Sequence, residues 1–94
     1  MSVREHPKTS SLRADTSIGT RMRMVRATAH MRQEELAATL GVSRQTLIQY
    51  ESDHCAPPYR VLHTVCEEFG IDGSWLLLGG PSSEMFRSAP KGAD

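Results

Sequence analysis

A chain of 94 residues has room for one domain at most, and its 38% apolar content with five aromatic side chains suits a compact core but not a large one. It holds no run of 18 apolar residues and opens without the apolar middle of a secretory signal, so the reading excludes a membrane span or membrane partner and expects a cytoplasmic protein. The zero net charge hides an asymmetry: residues 1–33 carry seven basic side chains against two acidic ones, and residues 34–94 carry four against nine. Separated charge of this kind presents a basic face to phosphates, or else is a solvated asymmetry with no partner.

Residues 1–16 are polar and without periodicity, and read as a flexible arm. The spacing predicts a first helix from Thr16 or Ser17 to Ala29, with Ile18, Met22, Val25 and Ala29 in one apolar stripe and Arg21, Arg23 and Thr28 off it. A second helix runs from about Arg32 to Leu40, with Leu36, Ala37 and Leu40 inward, and stops at Gly41. Ser43 suits an N-cap because its hydroxyl accepts from a free N–H of the next turn. A third helix then runs from Arg44 to about Ser52, with Leu47, Tyr50 and Glu51 inward. Pro57-Pro58 breaks the chain, and Pro58 suits a first helical turn. The fourth helix spans about Pro58 to Phe69, with Leu62, Val65, Cys66 and Phe69 inward, and Gly70 ends it. Asp72 caps a fifth helix, Gly73 to Leu78. From residue 81 on the chain reads as a flexible tail. The expected fold is all-α, five helices without a strand, over residues 17–80.

The stretch Gln33 to Tyr50, QEELAATLGVSRQTLIQY, carries the functional signal. Two short helices joined by about three residues around Gly41 need a small residue where they cross, and Ala37 supplies it. With Leu47, Tyr50 and Glu51 inward, Arg44, Gln45, Ile48 and Gln49 share the opposite face. Arg and Gln have the forked geometry that matches guanine and adenine edges in the major groove. An ordinary solvated face more often holds Glu/Lys pairs and would not hold Ile48.

These residues resemble the Cro/C1-type, or XRE, helix-turn-helix family, which includes lambdoid phage repressor DNA-binding domains. The likeness lies in RMRMVR, in RQEELAATLGVSRQTLIQYE and in FGIDGSWLLLG, and with the fourth helix it covers about Ile18 to Gly79. It implies a five-helix lambda-repressor-like domain, a non-enzymatic regulator of transcription, a double-stranded DNA operator as partner and a homodimer. On that resemblance Arg44, Gln45 and Gln49, with Ile48 beside them, read bases. Gln33 and Ser43, with Arg32 and Thr46, meet phosphates, and Arg26 and Glu51 form a buried pair. A dimer would meet around Pro57, Trp75 and Leu78.

Three positions depart from the family pattern. His30 stands where a Gly ends the first helix, Arg32 replaces a Ser or Thr cap of the second, and Asp53 replaces the Gly after the third.

His54, Cys55, His63 and Cys66 do not read as a zinc site, because Cys66 falls on the apolar face with Leu62 and Phe69 and the loop pair has no ligand spacing. Glu34-Glu35 and Glu67-Glu68 are surface carboxylates without a pocket, so neither catalysis nor a cofactor or small-molecule ligand is expected. The other use of such a fold is as a protein-interaction module, an antitoxin for instance, with DNA binding secondary. That use needs apolar anchors in the tail, and Met85-Phe86 is the candidate.

Overall fold

A computed structural model describes residues 16–79 and 84–87. Five helices follow in order: α1 Ile18–Thr28, α2 Gln33–Leu40, α3 Arg44–Glu51, α4 Tyr59–Phe69 and α5 Gly73–Leu78. Their bounds lie within one or two residues of those the spacing predicts. Among the described residues there is no strand, only one isolated antiparallel bridge between Ile71 and Phe86. No helix there is long and apolar enough to cross a membrane.

The helices begin where short polar side chains reach back to free N–H groups. Ser17 accepts from the Thr20 N–H (3.1 Å), Ser43 from the Thr46 N–H (3.0 Å) and Asp72 from the Trp75 N–H (2.9 Å). At α2 the cap is Arg32, which has no acceptor to offer; the Glu35 carboxylate instead accepts from the Arg32 N–H (2.7 Å). Pro58 stands just outside α4 as its N-cap.

Helices α1 to α4 share one way of ending, with a left-handed residue and a six-to-one hydrogen bond behind it. The left-handed residues are His30 (φ 57°), Gly41 (φ 72°), Asp53 (φ 64°) and Gly70 (φ 66°). The closing bonds are Met31 to Arg26, Val42 to Ala37, His54 to Gln49 and Ile71 to Cys66. Both departures from glycine noted in the sequence therefore adopt the backbone that glycine would.

The core gathers Met22 and Val25 of α1, Leu36, Ala37 and Leu40 of α2, Leu47 and Tyr50 of α3, Val61 and Val65 of α4, and Ile71, Trp75 and Leu76. Two details differ from the spacing argument. The inward row of α4 is Val61–Val65, while Leu62, Cys66 and Phe69 are only half-buried beside it. The helix carries two adjacent apolar rows, and the narrower β-branched one faces the centre. Arg21, expected off the stripe, is buried. Its Nε donates to the Leu76 carbonyl (2.8 Å) and its Nη2 to the Leu77 carbonyl (3.0 Å), while Nη1 reaches the Thr16 carbonyl. The guanidinium thus satisfies carbonyls near the end of α5 that have no partner within the helix. Burial lowers its pKa, partly countered by the charge of Asp53.

Part of the expected tail is also placed. Residues 84–87 lie against the turn between α4 and α5, with Met85 packed on the core. The remainder of the arm and tail, residues 1–15, 80–83 and 88–94, lies outside the described residues.

Candidate nucleic-acid interface

Helices α2 and α3 meet across the three residues 41–43. Ala37 is buried at the crossing, and its carbonyl accepts from the Val42 N–H (3.0 Å), which folds the turn back on α2. Leu47 is fully buried and Tyr50 nearly so, which locks α3 by one face. The other face carries Arg44, Gln45 and Gln49 exposed, with Ile48 and Thr46 half-buried between them. Arg and Gln side chains thus project from a helix whose rotation is fixed by the core.

α3 is held from behind by a charged pair. Arg26 Nε lies 2.8 Å from Glu51 Oε2, and Arg26 Nη2 lies 3.0 Å from Glu51 Oε1, a forked contact between α1 and α3. Glu51 is buried, while Arg26 keeps 22% of its side chain exposed. Gln33 Nε2 donates to Glu51 Oε1 as well (3.2 Å), which draws the start of α2 into the same group. The Gln33 amide keeps one further N–H for another acceptor.

Close by, Asp53 ties the end of α3 to the start of α1. Its carboxylate accepts from the Ser17 hydroxyl (2.6 Å) and from the Gly19 N–H (2.9 Å). The Ser17 hydrogen bond holds the Asp53 carboxyl below the ordinary carboxylate range, assisted by the Gly19 N–H and the charges of Arg23 and Arg21 and opposed by partial burial. Gly19 is needed there for space: a Cβ would lie 2.6 Å from the carbonyl oxygens of Tyr50 and Glu51.

Of the expected phosphate contacts, Ser43 and Thr46 engage each other, the hydroxyls 2.9 Å apart, at the exposed start of α3. Arg32 is exposed and 3.6 Å from Glu35. Arg23, which the sequence marks only as a basic residue off the apolar stripe of α1, lines a shallow depression with Gln33, Ile48, Glu51 and Ser52, and so belongs beside α3. Gln49 has a neighbour that spacing alone does not show: the Cys55 thiol donates to its Oε1 (3.5 Å).

The expected dimer residues separate. Pro57 and Trp75 are buried within the single chain, so only Leu78, 77% exposed, stands at the surface. Core packing takes Trp75 and Leu76 from the apolar run and leaves Leu77 and Leu78 outside. Tyr59 and Leu77 border an apolar groove between α4 and α5, floored by Leu62, Cys66 and Leu76. Burial pushes the Cys66 thiol pKa up, as suits a core thiol. Among the described residues no three His, Cys, Asp or Glu side chains gather around a common point.

Two short helices crossing at a small residue, with the second held by a partly buried ion pair and presenting Arg and Gln outward, define a helix-turn-helix domain. The family model for a helix-turn-helix domain matches residues 19–80, and the chain belongs to that family, in its XRE-type form. Family and fold are those of DNA-binding regulators. The chain is similar to the P22 c2 repressor in a crystal structure with synthetic operator 9T in the presence of Tl+. That match has a TM-score of 0.61 and 26% identity, over 66% of this chain and 94% of the other. It is equally similar to the solution structure of the P22 c2 repressor DNA-binding domain, residues 1–76 of that protein. There the TM-score is 0.62 and the identity 26%, over 68% of this chain and 84% of the other. No curated protein sequence matches the chain.

Proposed function

We propose that the protein is a sequence-specific DNA-binding regulator of transcription, a repressor or Cro-like controller, that binds a near-palindromic operator as a homodimer. The observation that carries the reading is the outward strip of α3 in a helix-turn-helix domain similar to one solved on an operator. Arg44, Gln45 and Gln49 are the base readers, with Ile48 against a thymine methyl. Ser43 and Thr46 at the start of α3, with Gln33, Arg32 and Arg23, meet the phosphates, where the free N–H groups and dipole of the helix favour negative charge.

One such helix covers only a few base pairs, and two related by a two-fold axis double the site. The surface that supports pairing is Leu78 with Leu77 and Tyr59, all exposed and apolar in the main. Trp75 would support it from within the core side of α5, while Pro57 is buried just before α4. The two recognition helices would then lie roughly 34 Å apart, one turn of DNA.

Of the two tail residues that an interaction module would use as anchors, Met85 packs on the core of its own chain and Phe86 stays half-exposed.

The test is selection of bound duplexes from a random pool, followed by titration of the enriched site at two salt concentrations. The expected result is an inverted repeat with half-site centres about 10 base pairs apart and affinity that falls steeply with salt. No enrichment, with binding indifferent to salt, would overturn the reading.

A further inference from the structure

The segment Glu84–Arg87 lies beyond residue 80, where the helix-turn-helix match ends. It is attached at several points. The Asp72 N–H donates to the Met85 carbonyl (2.8 Å), and the Arg87 N–H donates to the Gly70 carbonyl (2.9 Å), which together form the antiparallel bridge at Ile71 and Phe86. Met85 packs on the core, and its sulfur lies 3.9 Å from the Thr28 hydroxyl at the end of α1. Phe86 borders an apolar cleft formed by Val25, Ala29, Phe69 and Ile71. Arg87 donates from Nη2 to the Cys66 carbonyl (2.6 Å) near the end of α4, and lies 3.6 Å from Glu67.

We propose that Glu84–Arg87 is a clasp that closes in the same chain over the turn between α4 and α5 and fixes the direction of α5. The place of its bonds carries this. Gly70 and Asp72 flank the turn, and Asp72 is also the N-cap of α5, so the clasp holds the residue from which α5 starts. Arg21 holds the carbonyls at the other end. A six-residue helix has few backbone bonds of its own and is marginal unless tied down from outside. The clasp and Arg21 do this from opposite ends. The pattern Met-Phe-Arg suits such a clasp, with one apolar side chain to bury, one aromatic to lie over a cleft, and one cation for the carbonyl end of α4.

The test is amide hydrogen exchange on the full-length free protein, which does not depend on whether it binds DNA. The Asp72 and Arg87 amides should exchange at least tenfold more slowly than an unstructured chain, and at a common rate, because the clasp opens as a unit. The double variant Phe86→Ser, Arg87→Ala should accelerate the Asp72 amide at least tenfold while the Leu47 amide, bonded to the Ser43 carbonyl, is unchanged. Phe86 is half-exposed and Arg87 exposed, so the variant should still fold. Unstructured-chain rates at Asp72 and Arg87 in the unmodified protein would overturn the proposal. So would protection that vanishes on dilution, which would assign the clasp to a second copy.

Discussion

The turns that end α1 and α3 make the same backbone demand and meet it differently. Each closes on a left-handed residue where glycine would fit most easily, and each has another residue there, His30 in one and Asp53 in the other. Asp53 offsets the strain with its side chain, which accepts from Ser17 and Gly19 and so joins α3 to the first turn of α1. His30 is exposed, and its turn is held instead by Arg26, whose guanidinium reaches the Met31 carbonyl (3.4 Å) in addition to the closing backbone bond that both turns share. A left-handed residue other than glycine is thus tolerated for two reasons: it bonds across the fold itself, or a neighbour holds the turn in its place.

The largest effect should come from removing that neighbour. Arg26→Ala leaves Glu51 buried with only Gln33 as a partner and removes the guanidinium contact to the Met31 carbonyl at the His30 turn. Breaking a buried pair costs roughly 3–5 kcal/mol, and the partial exposure of Arg26 places this one near the low end, about 3 kcal/mol by denaturant unfolding. A melting midpoint within a degree or two of the unmodified protein would show that the pair holds nothing.

Gly19→Ala attacks the Asp53 side of the comparison. The new Cβ meets two backbone carbonyl oxygens that cannot swing away, so α1 and α3 must separate, with an expected loss of about 2 kcal/mol. Asp53→Ala should cost less, about 1 kcal/mol, since its bonds are near the surface. It should also change the acid limb. The folded-state pKa of Asp53 is depressed, so its stabilisation is complete above the unfolded value of about 3.9 and is lost as pH falls through the lower folded one. The variant should therefore show a flatter loss of stability below pH 4.

The smallest change, and the one of opposite sign, is His30→Gly. Its side chain anchors nothing across the fold, so relief of the left-handed strain should raise stability by roughly 0.5 kcal/mol. The same replacement at Asp53 should lower stability, because glycine gives up the bonds to Ser17 and Gly19. Two glycines with the same sign of effect would erase the distinction between the turns.

The sequence made some of this visible and not the rest. Helical periodicity, with the caps Ser43 and Asp72, was enough for five helices, because those signals are local. The Arg26–Glu51 pair and the outward strip of α3 were legible through a familiar motif. Arg21 was not, since its burial answers the need of carbonyls 55 and 56 residues away for donors. Gly19, inside a helical run, reads only as a weak helix former until the carbonyls of α3 arrive beside it. Apolar residues such as Pro57 and Trp75 give no sign in the sequence of whether a core or a partner takes them. The clasp is not legible because four residues are too few to show a period.

The measurement that bears most directly on the account is the affinity of Arg44→Ala for the selected duplex and for bulk DNA at one salt concentration. A residue that reads a base edge should cost roughly 1–3 kcal/mol on the selected site, about 5- to 150-fold, and relax the preference at one position of each half-site, with a smaller loss on bulk DNA. An equal loss on both would make Arg44 a phosphate contact and contradict the claim that α3 reads sequence.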